Sequence, residues 1–313
     1  MKVLLTHERF PPDFAGGGEV VLERLATELA ARSIDIRVLC AGDPSLTHHN
    51  NTPTKRLPIS RFRLNTAVRA ITEHARDADI IQTFTYHAAL PSLIAARRLN
   101  KPVFMMVLGL FGPMWRRMKG PLRGRAFEWW ERMLIQRSFT NTIFLSDFSH
   151  DLGLRLGADP HRSVVIPPGI DPQRFNPHAP KNNSVLFVGR LDVRKGIDDV
   201  LAVAAALPRV PFRIIGYEGE DESIRRDAPP NITFTHARGS ALRDEYARAS
   251  IFFLPSRAET FGLVIAEAMA SACAVVSTID IGFKGALVRP GDRPAMIDSI
   301  RRYIEDPAEA RRL

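Results

Sequence analysis

At 313 residues, 45% apolar and 25% charged, the chain is too long for one core and too apolar for a disordered polymer, so two globular domains are expected. Two cysteines, Cys40 and Cys273, exclude a disulfide scaffold; no stretch approaches the ~18 uninterrupted apolar residues of a membrane-crossing helix, and no Cys/His cluster has zinc spacing. The formal net charge is +9, and the first 175 residues carry +8 of it, which points to an anionic partner for that half.

Met1-Lys2-Val3-Leu4-Leu5-Thr6 predicts a strand over 2–6. Gly16, Gly17 and Gly18 follow, then an apolar-periodic helix over 18–32. The glycines lack G-x-G-x-x-G spacing, which argues against a dinucleotide fingerprint. Strands are expected at 35–40, 79–84, 102–108, 142–145 and 163–166, with helices over 66–76, 87–98, 121–138 and 147–156. His48-His49 reads as a polar pair on a surface loop, and both cysteines as buried thiols of a cytoplasmic protein.

Residues 113–137 concentrate the positive charge. Arg116, Arg117, Lys119, Arg123, Arg125, Arg132 and Arg137 stand against Glu128 and Glu131, interleaved with Trp115, Trp129 and Trp130. Basic residues with tryptophan suit an anionic membrane surface or a lipid-linked partner. A helix packing its tryptophans on the core, with a solvated basic face, accounts for the same pattern. Nucleic acid is not the expected anion, because no helix-turn-helix, zinc-finger or RNA-sheet signature is present.

Pro167-Pro168-Gly169 and the Pro/Asn-rich stretch after it form a break, giving an N-terminal domain at 1–170, a linker at 171–183 and a C-terminal domain at 184–313. The second series runs strand 184–188, helix 197–206, strands 211–215 and 231–235, helix 240–248, strand 251–254, helix 262–271, strand 273–277 and helix 292–305. Such alternation implies α/β domains with parallel sheets covered on both faces.

Two segments of the second series carry chemistry. Val185-Leu186-Phe187-Val188-Gly189-Arg190-Leu191-Asp192 is an apolar strand ending in a charged loop, continued by Arg194-Lys195-Gly196. Arg190 and Lys195 thus fall at the carboxyl end of a strand, where open α/β sheets bind ligands, and both suit phosphate. Glu259-Thr260-Phe261-Gly262-Leu263-Val264-Ile265-Ala266-Glu267 joins another strand to a helix start, whose unpaired N–H groups and positive dipole end favour a phosphate or a polyhydroxyl guest.

The two segments resemble the E-x7-E signature and the VGRL-x3-KG motif of glycosyltransferase family 4, the retaining GT-B glycosyltransferases, and the likeness runs from residue 1 to about 305. The N-terminal strand with its glycine loop, the Phe144–Ser149 segment and the Val164–Phe175 segment also agree with the family pattern. The resemblance implies two Rossmann-like domains with parallel sheets facing across a cleft. It implies a metal-independent retaining hexosyltransferase, without cofactor, moving a sugar from a nucleoside-diphosphate sugar to a saccharide or lipid-linked acceptor in polysaccharide or glycolipid assembly. The first domain would bind the acceptor and the second the nucleotide sugar. Arg190 and Lys195 would hold the diphosphate and Glu259 the donor sugar. Glu267 would take the ribose, Phe261, Gly262 and Leu263 would offer backbone N–H groups, and Gly16, Gly17 and Gly18 would close on phosphates and acceptor. A cytoplasmic chain, peripheral on the inner membrane face, fits this reading. The choice of UDP, GDP or ADP is open, with Thr235-His236-Ala237-Arg238-Gly239 a candidate base loop.

Three features depart from the family pattern. Leu108 stands where relatives place a histidine, so either a polar sugar contact is missing or His87 supplies it. The loop around Ile279–Gly285 looks short. The chain stops at Leu313, where relatives continue with a helix crossing back to the first domain. These leave a catalytically degenerate, sugar-binding partner subunit as the alternative.

Overall fold

The computed structural model describes residues 1–13, 16–217 and 222–312, and it divides into two compact units. One comprises residues 1–112 and 125–168, the other 113–124 and 169–313.

The first unit holds β1 (Lys2–Thr6), α1 (Gly17–Ala31), β2 (Asp35–Ala41), β3 (His48–His49), β4 (Thr52–Leu57), α2 (Val68–His74), β5 (Ile80–Phe84), α3 (Ala89–Leu99) and β6 (Val103–Met106). Next in the chain are α4 (Met114–Lys119), which falls in the 113–124 segment of the second unit, and α5 (Pro121–Ile135), which re-enters the first unit at residue 125. β7 (Asn141–Phe144), α6 (Asp147–Leu156) and β8 (Ser163–Val165) complete the first unit. The strand order is β3-β4-β2-β1-β5-β6-β7-β8, parallel except for β3 against β4. The chain leaves β1 toward β2 and later returns to place β5 on the other side of β1. Strand order therefore reverses between β1 and β5, the kind of position at whose carboxyl ends open α/β sheets form a ligand crevice. Leu4, Ile81, Met105 and Phe144 line the core between sheet and helices.

β4 was not expected. Its burial alternates, but the inward side chains are Thr52, Thr54 and Arg56, so no apolar period marks it. Arg56 is buried, and its guanidinium donates to the carbonyls of Phe10 (3.0 Å) and Leu46 (3.1 Å) and to Asp13 (3.0 Å). His48 and His49 are a strand rather than a loop, and His49 Nε2 lies 2.8 Å from Glu23.

The second unit holds β9 (Val185–Arg190), α7 (Ile197–Ala206), β10 (Phe212–Tyr217), α8 (Glu222–Arg226), β11 (Ile232–Thr235), α9 (Gly239–Arg248), β12 (Ile251–Leu254), α10 (Leu263–Ala270), β13 (Ala274–Ser277), β14 (Gly285–Leu287), α11 (Arg293–Glu305) and α12 (Pro307–Arg312). All six strands are parallel, in the order β11-β10-β9-β12-β13-β14. Every residue of β12 and β13 is buried, as continuous apolar strands between helix layers require. Here the order reverses between β9 and β12. These two strands pair only at Ile251↔Val185 and Phe252↔Leu186, whereas β9 and β10 stay paired from Val185 to Arg190. Past the first two residues of β12 the ladder ends, and the carboxyl ends of β9 and β12 part.

Candidate active site

In the second unit, β9 ends at Arg190, and Asp192 caps a 3-10 turn at Val193–Lys195 by accepting from the Lys195 N–H (3.0 Å). Gly196 then takes a left-handed conformation (φ 73°). It lies directly on the turn after β12: a Cβ there would sit 2.2 Å from the Pro255 carbonyl oxygen. That close approach requires glycine on both counts. It brings the Lys195 ammonium into an ion pair with Glu259, with each side chain only 12% exposed. Residues 64 apart in sequence thus meet at the strand-order reversal.

Burial alone would push the Glu259 carboxyl up. The nearby Lys195 and Arg194 charges, with hydrogen bonds from Lys195 and the Thr260 backbone, outweigh burial and hold it below the usual carboxylate range. Arg190 is half-exposed, with Nε 3.5 Å from Asp192. Gly262 (φ 82°) opens α10, and Glu267, inside that helix, accepts from the Tyr246 hydroxyl at 3.1 Å. Phe261 is buried, so only its backbone could meet a ligand.

The sequence reading missed the brace behind this site. Arg257 donates to both carboxylate oxygens of Asp198 and to Asp199 (2.6 Å each), and to the Val193 carbonyl (2.8 Å). Its own N–H binds the Arg194 carbonyl at 2.8 Å. Asp199 is 1% exposed and also meets Arg293 at 2.8 Å. Arg257 thereby ties the lysine turn to the start of α7. Its place just before Glu259 was the only sequence signal. In the candidate base loop, His236 accepts from Arg225 at 3.4 Å.

In the first unit, Gly16 caps α1 and Gly17 and Gly18 form its first turn. A Cβ at Gly18 would lie 3.3 Å from Leu108 Cδ1, so the leucine at the expected histidine position packs against the glycine segment. His87 lies elsewhere, at the end of β5, with Nδ1 2.8 Å from the Asn65 amide and Nε2 3.9 Å from Glu8. Glu131 on α5 is 1% exposed and accepts from the Tyr86 hydroxyl (2.6 Å) and the Phe111 (3.0 Å) and Gly112 (2.6 Å) N–H groups, which anchors the loop carrying His87. Among the described residues no three His, Cys, Asp or Glu side chains converge as a metal-binding set, and no helix is long and apolar enough to cross a membrane. Both cysteines are buried, and burial pushes each thiol up to about 11.

Two open α/β sheets, each with polar groups gathered at a reversal of strand order, define a two-domain ligand-binding class. Sequence profiles narrow the class: one described as Glycosyltransferase Family 4 matches residues 15–174, and one described as Glycosyl transferases group 1 matches residues 182–306. The chain belongs to glycosyltransferase family 4. It is 30% identical to the sulfoquinovosyl transferase SQD2 of Arabidopsis thaliana over 44% of its length and 32% of that protein's. It is 31% identical to a GDP-mannose-dependent α-mannosyltransferase of Mycobacterium tuberculosis, over 76% of this chain and 63% of the relative. The chain therefore spans about a third to just under two thirds of these relatives. Sucrose-phosphate synthase of Thermosynechococcus elongatus has the same fold, with TM-score 0.82 and 22% identity over 99% of this chain and 91% of that one. So does Anabaena HepE, solved with UDP-glucose, with TM-score 0.77 and 20% identity over 99% and 92% of the two chains.

Proposed function

We propose that the protein is a metal-independent, retaining hexosyltransferase that moves a sugar from a nucleoside-diphosphate sugar to a saccharide or lipid-linked acceptor hydroxyl in polysaccharide or glycolipid assembly. The observation that carries this reading is the meeting of Lys195 and Glu259 at the β9/β12 reversal, with Arg190 at the end of β9 and 3.5 Å from Asp192, the residue that caps the lysine turn. Negative charge grows on the diphosphate as the glycosidic bond breaks. Arg190 and Lys195 stabilise that charge more in the transition state than in the ground state. Glu259 remains an acceptor for the donor sugar's hydroxyls, because its carboxyl is held ionised. Glu267 takes the ribose hydroxyls, while the N–H groups of Phe261, Gly262 and Leu263 face the sugar or phosphate. Gly16, Gly17 and Gly18 close on phosphates and acceptor, and His87 contacts the substrate from the first domain. The UDP-glucose complex of the HepE relative supports a nucleotide-sugar donor.

A thermal-shift panel of UDP-, GDP- and ADP-sugars tests the donor site, since a ligand that binds only the folded state raises its melting temperature. One nucleotide class should stabilise the protein, and the Arg190→Ala/Lys195→Ala variant should lose the shift. No shift from any donor would sink the reading in favour of a degenerate relative. Retention is checked by NMR of the first-formed product's anomeric configuration, and metal independence by turnover in EDTA.

The reading includes a membrane contact through residues 113–137. On α5, Leu122 (80% exposed) and Trp129 (67%) stand out on a face that also exposes Arg125 and Arg132, while Trp115 and Leu134 are buried. Apolar and basic groups exposed together match an anionic lipid surface. The protein should pellet with phosphatidylglycerol vesicles at low salt and be released at high salt. Absence of low-salt binding removes this contact from the proposal.

A further inference from the structure

The β1/β5 reversal in the first unit carries a second set of side chains that no family motif marks. Glu8 follows β1, and Tyr86-His87 follow β5. One Glu8 oxygen, Oε1, accepts from the N–H groups of Tyr86 and His87 at 3.2 Å each, which fixes the carboxylate on the lip of the crevice. The other, Oε2, is 3.8 Å from Arg61. The Asn65 amide nitrogen donates to His87 Nδ1 (2.8 Å) and also approaches the Phe62 carbonyl at 3.3 Å, so that nitrogen is the donor and the imidazole proton sits on Nε2. Burial lowers the His87 pKa, with the Arg61 charge helping and Glu8 pulling the other way, which favours the neutral ring.

His87 Nε2 and Glu8 Oε1 are 3.9 Å apart, too far for a direct hydrogen bond. A sugar hydroxyl can accept from the imidazole and donate to the carboxylate through Oε2, since Oε1 already accepts from two N–H groups. Beside them Phe62, on the 3-10 turn Arg61–Thr66, is 57% exposed while Leu64 of the same turn is buried. The His87 ring meets it edge-on at 5.2 Å, and the Arg61 guanidinium lies 4.8 Å from its centroid. An aromatic face carries partial negative charge and attracts the polarised C–H groups of a pyranose ring.

We infer that this crevice binds the terminal neutral pyranose of the acceptor, with Phe62 against the ring face and the Glu8–His87 pair holding its hydroxyls. The inference rests on the transfer reading above and gives its acceptor a chemical class. An acceptor-only carboxylate on the lip selects hydroxyl donors, and the Arg61 guanidinium beside it is offset by that carboxylate, so the crevice offers no net positive charge to draw phosphate or uronate groups.

Saturation-transfer NMR tests this on the full chain without donor, using methyl glucoside, galactoside and mannoside, with glucose 6-phosphate and methyl glucuronide as charged comparators. At least one neutral glycoside should give signals concentrated on one ring face. Phe62→Ala, at an exposed position, should abolish them without changing the melting temperature. Glu8→Gln should weaken binding about tenfold, the size of one hydrogen bond to a charged group. The inference is overturned if no neutral glycoside saturates, if a charged comparator binds better, or if the signals survive both substitutions. A nucleotide-sugar thermal shift that persists in any of those cases leaves the donor reading intact, so the two failures are distinguishable.

Discussion

The two units share one device and differ in how they use it. Each sheet reverses its strand order beside its first strand, at β1/β5 in one and β9/β12 in the other. In the second unit the reversal is lined by charge: Lys195 paired with Glu259, Arg194 and Arg190 nearby, and Arg257 braced on Asp198 and Asp199. In the first, Glu8 and Arg61 offset one another at 3.8 Å and hydrogen bonds line the rest, among them Glu8 accepting from two backbone N–H groups and Asn65 donating to His87, over a polar floor where Thr6, Thr83 and Ser92 bond side chain to side chain at 2.8 Å. Topology supplies a crevice in both units, and the side chains decide what it holds. Fixed positive charge suits a diphosphate, whereas neutral donors, a carboxylate and an exposed ring suit a sugar.

The comparison is broken most forcefully in the second unit. Arg190→Ala/Lys195→Ala should lower kcat/KM by about 10³-fold at saturating acceptor, the scale of removing preorganised charge from a transition state. Equal losses from first-unit substitutions in initial-rate assays would erase the division of labour. Gly196→Ala comes next. Its Cβ would lie 2.2 Å from the Pro255 oxygen at a φ of +73°, so the two loops must separate. We expect a loss of about 2 kcal/mol in urea unfolding, with Lys195 displaced from Glu259. Arg257→Ala removes the brace but leaves Asp199 its Arg293 contact at 2.8 Å, so about 1–2 kcal/mol should be lost in the same assay.

The smallest effect is on pH dependence. Asp198, where Arg257's hydrogen bonds and charge outweigh burial, and Glu259 both sit below their ordinary values of 3.8 and 4.5. The unfolded chain therefore binds more protons in acid than the folded one. The stability these carboxylates contribute is complete above the ordinary values and is lost as pH falls through the folded ones. Urea midpoints measured from pH 7 to pH 3 should fall in acid, and less steeply in Asp198→Asn. An equal slope in that variant would place the titrating charge elsewhere.

Much of the second unit was legible because its information is local. The strand at Ile251–Leu254 is a continuous apolar run, and the motif residues of this unit lie in two segments of fewer than ten residues each. The first unit hid more. β4 was invisible because Thr52, Thr54 and Arg56 point inward, and a buried arginine is satisfied by carbonyls that no sequence pattern announces. The strand expected over 102–108 stops at Met106, since the Leu108 and Gly109 N–H groups turn to the Thr85 hydroxyl at 3.1 and 3.2 Å.

By itself the sequence determined the α/β alternation, the parallel sheets, the family and the motif residues around the lysine turn. Hydrophobic period, turn chemistry and strand-end motifs are properties of neighbours along the chain. Only the tertiary structure decided that Lys195 meets Glu259 across a glycine too close to Pro255 for any side chain, and that Glu8 joins His87 from 79 residues away. Those pairings follow from the order in which strands lie beside one another, which is set by how whole elements bury their faces together.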